Sequence, residues 1–173
     1  MFVDEMGVHT SLAPLYGYSP RCERVRLKVP RNRGTNTTLL ASMSLLGGMG
    51  ETMAVEGSTN REVFETYVEH ALAPTLETGK VVILDNLSAH KPTRVRELIE
   101  ERDCELIYLP AYSPAFNPIE EAFSKMKEIV RQAGARTKDA LVDVLGEALS
   151  AISVQDTRGY FEHAGYGLRA QLL

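Results

Sequence analysis

Long apolar runs are missing from this sequence. The longest, such as Val81 to Leu84, reach about four or five residues, where a membrane-spanning helix needs about 20. A helical span is thereby excluded. The start of the chain carries neither a basic stretch nor an apolar core behind it, so no secretory signal is expected. Cysteine is scarce as well: Cys22 and Cys104 lie far apart and match no metal or disulfide spacing, and two free thiols in a reducing cytoplasm are the expectation. With 44% apolar and 24% charged residues, no bias towards a disordered or fibrous chain exists, and 173 residues suffice for one domain.

Net charge is small, −4 at neutral pH, which taken alone argues against a nucleic-acid partner. The average hides a local reversal. From Arg21 to Arg33 six cations (Arg21, Arg24, Arg26, Lys28, Arg31, Arg33) face Glu23 alone, so this segment carries +5 and the remaining residues −9. Such a concentration suits salt-dependent contact with phosphates, although the same pattern also fits a solvated edge strand protected from aggregation.

Met1-Phe2-Val3-Asp4-Glu5 reads as a short strand ending in carboxylates, and Arg24 to Val29 alternates cation and aliphatic strictly, as a strand would. Thr37 to Leu46 predicts an apolar strand, turned by Gly47, Gly48 and Gly50 into Glu51 to Glu56. The period then changes. Thr59 and Glu62 have capping-box spacing ahead of the helical face Val63, Phe64, Tyr67, Val68, Ala71 and Leu72. Val81 to Leu84 predicts a strand buried on both faces, Thr93 to Glu101 a helix, and Leu106 to Leu109 another strand. A Pro-rich loop then leads to a helix with Ile119, Ala122, Phe123, Met126 and Val130 on one side, and a last helix spans Lys138 to Ile152. An antiparallel meander followed by alternating helix and strand describes an α/β domain, a mixed sheet with helices on both faces.

Three acids stand at element ends: Asp4 after the first strand, Asp85 after Val81 to Leu84, and Glu120 in the first turn of a helix that Asn117 and Pro118 open. Converging carboxylates repel unless a cation neutralises them, and oxygen ligands select Mg²⁺ or Mn²⁺. Two such ions clamp the attacking and leaving oxygens of a phosphoryl displacement. Each acid also has a plainer role. Asp4 fits an exposed strand end, Asp85-Asn86 fits a turn opener, and Glu120 stands where a capping glutamate prefers to be. Glu121 lies off the apolar stripe just as Glu120 does, so helical geometry does not choose between them. His9 and His90 read as turn or surface residues.

The segments Phe2-Val3-Asp4-Glu5, Val81 to Lys91 (VVILDNLSAHK) and Leu109 to Glu120 (LPAYSPAFNPIE) resemble bacterial insertion-sequence transposases related to the Tc and mariner elements. The 34 residues between Asp85 and Glu120 match that family's spacing between its second and third catalytic acids. The resemblance runs from Phe2 to about Tyr166, making residues 1–166 the catalytic domain and 167–173 a tail. It implies a ribonuclease-H-like fold in which Asp4, Asp85 and Glu120 bind two Mg²⁺ or Mn²⁺ ions. Relatives of this kind cut DNA at the element's ends and transfer the freed 3′-hydroxyl to target DNA. DNA contacts are expected from Arg24, Arg26, Lys28, Arg31, Arg33, His90, Lys91 and Lys125, within a homodimer. The family's N-terminal helix-turn-helix region is not among these residues, and a separately encoded half or a truncated copy is expected. A transposase-derived remnant that binds DNA without cutting it is the rival from another class.

Overall fold

Strict alternation along β1 (Phe2–Val8) sends Phe2, Asp4, Met6 and Val8 to one side of the sheet and Val3 to the other. The computed structural model describes residues 1–32, 34–86 and 93–167. β2 (Thr37–Ser44) pairs antiparallel with β1 along its whole length, from Phe2 opposite Met43 to Val8 opposite Thr37. β3 (Gly48–Glu56) returns antiparallel through a turn in which Gly48 takes a φ of 75°, a conformation costly for residues with a side chain. β4 (Val81–Leu84) and β5 (Glu105–Tyr108) lie parallel on the other flank of β1, giving the order β3-β2-β1-β4-β5.

Helices cover both faces, as the α/β reading requires. On one face α1 (Arg61–Tyr67), a π-helical turn (Val68–Leu72) and α2 (Thr93–Glu100) pack Phe64, Tyr67, Leu72, Val95 and Ile99 with Val3, Leu40, Val82 and Leu84. On the other, α3 (Ile119–Ala133), α4 (Lys138–Ser150) and α5 (Val154–His163) bring Phe123, Met126, Leu141, Leu145 and Phe161 onto Phe2, Met6, Leu39 and Met43. Phe2 meets Phe161 edge-on at 5.4 Å between ring centroids and Tyr166 at 5.0 Å. Burying a side chain of this size contributes about 1.5–3 kcal/mol, so the Phe2–Phe161 contact anchors α5.

Several local expectations are corrected. Arg24 to Val29 forms no strand. β1 already has β2 and β4 on its two flanks, so no pairing site beside it is left, and Val25, Leu27 and Val29 stay 51%, 56% and 40% exposed. Alternation without a partner or a face to bury yields only an extended loop. β1 also continues past Asp4 to Val8, because β2 pairs with it throughout, so Asp4 sits inside a strand rather than after one. Val82 and Leu84 are buried, but Val81 and Ile83 only partly. The cap of α1 is Asn60, whose side chain accepts the Val63 N–H at 2.9 Å, in place of Thr59. α5 is an addition to the elements the sequence predicts. Its signal is the capping box of Ser153 and Asp156, and only Thr157 and Phe161 are buried along it, too few for a visible period.

Asp156 also accepts from Lys125 Nζ at 2.8 Å, tying α5 to α3. That ammonium, helped by the Ser153 hydroxyl and N–H, pulls the Asp156 carboxyl down to about 2. A depressed folded-state value gives stability that is present above the ordinary range near 3.8 and lost as pH falls through about 2. Asp156→Ala is therefore expected to show a small deficit in Tm near neutral pH that narrows below about pH 4. Thermal unfolding of both proteins across that range checks it; a deficit that stays level would show that the charge contributes nothing.

Candidate active site

The parallel register of β1 and β4 sets Phe2 beside Ile83 and Val3 beside Leu84. One step further along it, Asp4 comes level with Asp85, and both side chains share the parity of Phe2 and Ile83, so they face the α3 side of the sheet. Leu109, whose N–H bonds the Leu84 carbonyl at 2.8 Å, carries the chain off β5 into the loop that enters α3. Asp4, Asp85 and Glu120 thereby line one cavity of about 330 Å³, together with Asn86, Asn117 and loop residues between Leu109 and Pro114. No lysine, arginine or histidine lines it among the described residues.

Asp4 is 5% exposed. A carboxylate so deeply placed needs donors, and it has them: Oδ1 accepts the Glu5 N–H at 2.7 Å and Oδ2 accepts Asn117 Nδ2 at 2.7 Å. The sequence predicts Asn117 as the cap of α3, and the structure corrects this. Its side chain turns to Asp4, Pro118 stands at the cap without a side-chain bond, and only the Asn117 carbonyl serves the helix, accepting from the Glu120 N–H at 3.2 Å. The loop is strained at one point: Tyr112 holds a φ of 58°, unusual for a residue with a bulky side chain, while that side chain stands fully exposed at the cavity.

The adjacent glutamates, which helical geometry alone does not separate, have different neighbours. Glu120 lines the cavity of Asp4 and Asp85. Glu121 turns to α5, where its Oε1 lies 2.7 Å from His163 Nδ1. His9 accepts the Ser11 N–H at 3.2 Å and serves a turn, as expected.

The cations lie elsewhere. Arg24, Arg26, Lys28 and Arg31 are exposed on a long arm between β1 and β2. Its base is closed by Ser11 Oγ donating to the Pro30 carbonyl at 2.9 Å, and Arg136 Nη1 donates to the Thr10 and Leu12 carbonyls at 2.8 Å each. Lys125 is engaged with Asp156, which holds its ammonium above the ordinary lysine range. Arg33, His90 and Lys91 lie outside the described residues.

Oxygen donors around a cavity with no lining cation among the described residues fit a hard divalent ion by chemistry. A second feature agrees: Asn117 Oδ1 is buried and has no hydrogen-bond donor among the described residues. In the arrangement present, no three acidic, histidine or cysteine side chains among the described residues are gathered closely enough to hold an ion. Like charges without a counter-ion keep apart.

Residues 1–142 match the DDE superfamily endonuclease family. By structure the chain is similar to a Mos1 transposase paired-end complex with left transposon end (TM-score 0.73, 18% identity, covering 94% of this chain and 51% of that one). It is similar also to a Mos1 mariner paired end complex with Mn (TM-score 0.69, 17% identity, 94% and 51%). A third likeness is to the catalytic domain of Mos1 mariner transposase (TM-score 0.67, 16% identity, 94% and 76%). The chain thus spans about half the length of the first two, and at these identities the likeness concerns the ribonuclease-H-like fold. No curated protein matches the sequence significantly. With the family match running over most of its length, the chain belongs to the DDE superfamily endonucleases.

Proposed function

We propose that the chain is the catalytic part of a DNA transposase, hydrolysing a phosphodiester at an element's end and joining the freed 3′-hydroxyl to target DNA. One observation carries the reading: three acids from β1, the end of β4 and the first turn of α3 meet at one cavity without a lining cation among the described residues. Among the described lining residues a DNA phosphate entering there meets only like charge, which favours its entry in company with a cation. Asp4, Asp85 and Glu120 are the residues that would hold it, as a pair of ions. Bound there, Mg²⁺ or Mn²⁺ would supply Lewis-acid stabilisation of the phosphate and an acidified attacking water. The protein's own part is positional. Asp4 accepts two hydrogen bonds, from the Glu5 N–H and from Asn117, while Glu120 presents an exposed carboxylate from its helical turn.

Replacing Asp85 with Asn, or Glu120 with Gln, is expected to lower Mn²⁺-dependent plasmid nicking by on the order of 10²–10³ or more, comparable to the loss of a principal charge-stabilising group. Metal-free stability should stay level or rise as repulsion is relieved. Glu121→Gln, which loses only its exposed contact with His163, should keep activity within a few-fold. Nicking that is independent of metal, or that survives Asp85→Asn, would overturn the assignment and favour a remnant that only binds DNA.

DNA would be held through its phosphates by the exposed arm, with Arg24, Arg26, Lys28 and Arg31 along one backbone, and Arg33, close to them in sequence, would take part. His90 and Lys91, close in sequence to Asp85, and Lys125, on the helix of Glu120, would add to that hold. Such contacts position without reading sequence. The described helices bury apolar faces against the sheet; recognition of element ends would fall to a region outside these residues, and the working unit would be a homodimer. The triple change Arg24→Gln, Arg26→Gln, Lys28→Gln should weaken binding to any duplex and flatten its log–log salt slope by about 0.9 for each phosphate no longer neutralised. Filter binding across a salt series measures this, and an unchanged slope would mean that the arm is merely solvated. The unaltered chain should bind terminal-repeat and scrambled DNA with less than about 10³-fold discrimination, the lower edge of specific recognition. A larger ratio in a competition assay would reveal a sequence reader within these residues.

A further inference from the structure

Asn117 is 5% exposed, and its amide is used on one side only. Nδ2 donates to Asp4 Oδ2 at 2.7 Å, joining residues 113 apart in sequence. An ionised carboxylate only accepts, so the amide cannot be reversed without setting oxygen against oxygen. Oδ1 is therefore turned away from Asp4, and it is buried with no donor among the described residues. Native proteins rarely leave such an acceptor unmatched, and a metal site is one of the settings in which one is found waiting. The residue lines the same cavity as Asp4, Asp85 and Glu120. Its carbonyl also accepts from the Glu120 N–H at 3.2 Å, so one residue is bonded to two of the three acid positions. An asparagine before Pro118 would ordinarily spend its side chain on capping the helix, and here it does not.

We propose that Asn117 is a fourth member of the acidic site: Nδ2 fixes the Asp4 carboxylate, and Oδ1 is an oxygen contact for the hydrated divalent cation. The proposal rests on the reading of Asp4, Asp85 and Glu120 as the cation's holders, and adds to it a neutral residue with one function on each side of its amide. A carboxylate in its place would set like charge against Asp4. An apolar residue would leave Asp4 short of a donor and the cation short of an oxygen. Neutral amide oxygens are ordinary partners of hard divalent ions and of the waters these ions keep. Supporting partners of metal ligands typically contribute 10–100-fold to affinity.

The test is a Mn²⁺ titration of the full chain followed by electron paramagnetic resonance, alongside the rise in Tm that Mn²⁺ produces in each variant relative to its own metal-free value. That differential cancels any general loss of stability. Asn117→Leu is expected to bind Mn²⁺ about 10–100-fold more weakly and to lose most of the Mn²⁺-induced rise. Asn117→Ser, smaller and unable to span to Asp4, is expected to do the same and serves where the leucine variant does not fold. Asp85→Asn is the control for the acids. If the unaltered chain binds Mn²⁺ and Asp85→Asn loses it, while both Asn117 variants keep affinity within about twofold, Asn117 is only structural and the proposal is overturned. If the unaltered chain binds no Mn²⁺, or Asp85→Asn binds it equally well, the reading of the three acids fails first and the role of Asn117 falls with it.

Discussion

β1 is flanked by strands of opposite sense, antiparallel β2 on one side and parallel β4 on the other, and the acidic cavity depends on that arrangement. A parallel neighbour brings residues of like rank to the same level, so Phe2 with Ile83 and Val3 with Leu84 draw Asp4 level with Asp85. A slip of one residue would send Asp85 to the opposite face. The slip is resisted by packing, because it would also exchange Val82 and Leu84, both buried against α1 and α2, with the half-buried Val81 and Ile83. The register that aligns two carboxylates is therefore maintained by apolar side chains on the far side of the sheet.

The third acid reaches the cavity by a different route. α3 is seated by Ile119, Ala122, Phe123, Met126 and Val130, all buried, and Gly134 ends it with a φ of 62°. With that stripe fixed against β1, the two glutamates of the first turn must point away from the core. A rotation of about 100° between successive residues gives them different neighbours: Glu120 lines the cavity of the aspartates, and Glu121 meets His163.

Much of this is legible in the residues, for a physical reason in each case. The apolar run Val81 to Leu84, between Gly79 and Asp85, has the length of a strand, though only Val82 and Leu84 are fully buried, and the stripe along α3 has the helical period. Asp85 and Glu120 are legible from the 34-residue spacing and the Pro-rich motif, which carry the family resemblance. What escapes depends on partners far away in sequence. Whether Arg24 to Val29 pairs depends on which strand edges the folded chain leaves beside it, and both flanks of β1, the strand it follows, are taken by segments beginning at Thr37 and Val81. The side chain of Asn117 has two uses open to it, capping its own helix or bonding an aspartate 113 residues earlier, and only the folded chain brings the second within reach. α5 buries just Thr157 and Phe161 and so has no period to read.

The neck of the basic arm has a consequence for how this fold can change. Ser11 and Pro30 close the loop where it leaves the sheet, and Arg136 on the α3–α4 connection braces the same point from below. These bonds tie the arm's ends to each other and to the α3–α4 connection. Lengthening a flexible loop is cheap, about 0.6 kcal/mol for each doubling. The arm is thus an exchangeable part: its length, charge and apolar content can be rewritten freely while the strand that carries Asp4 keeps its place.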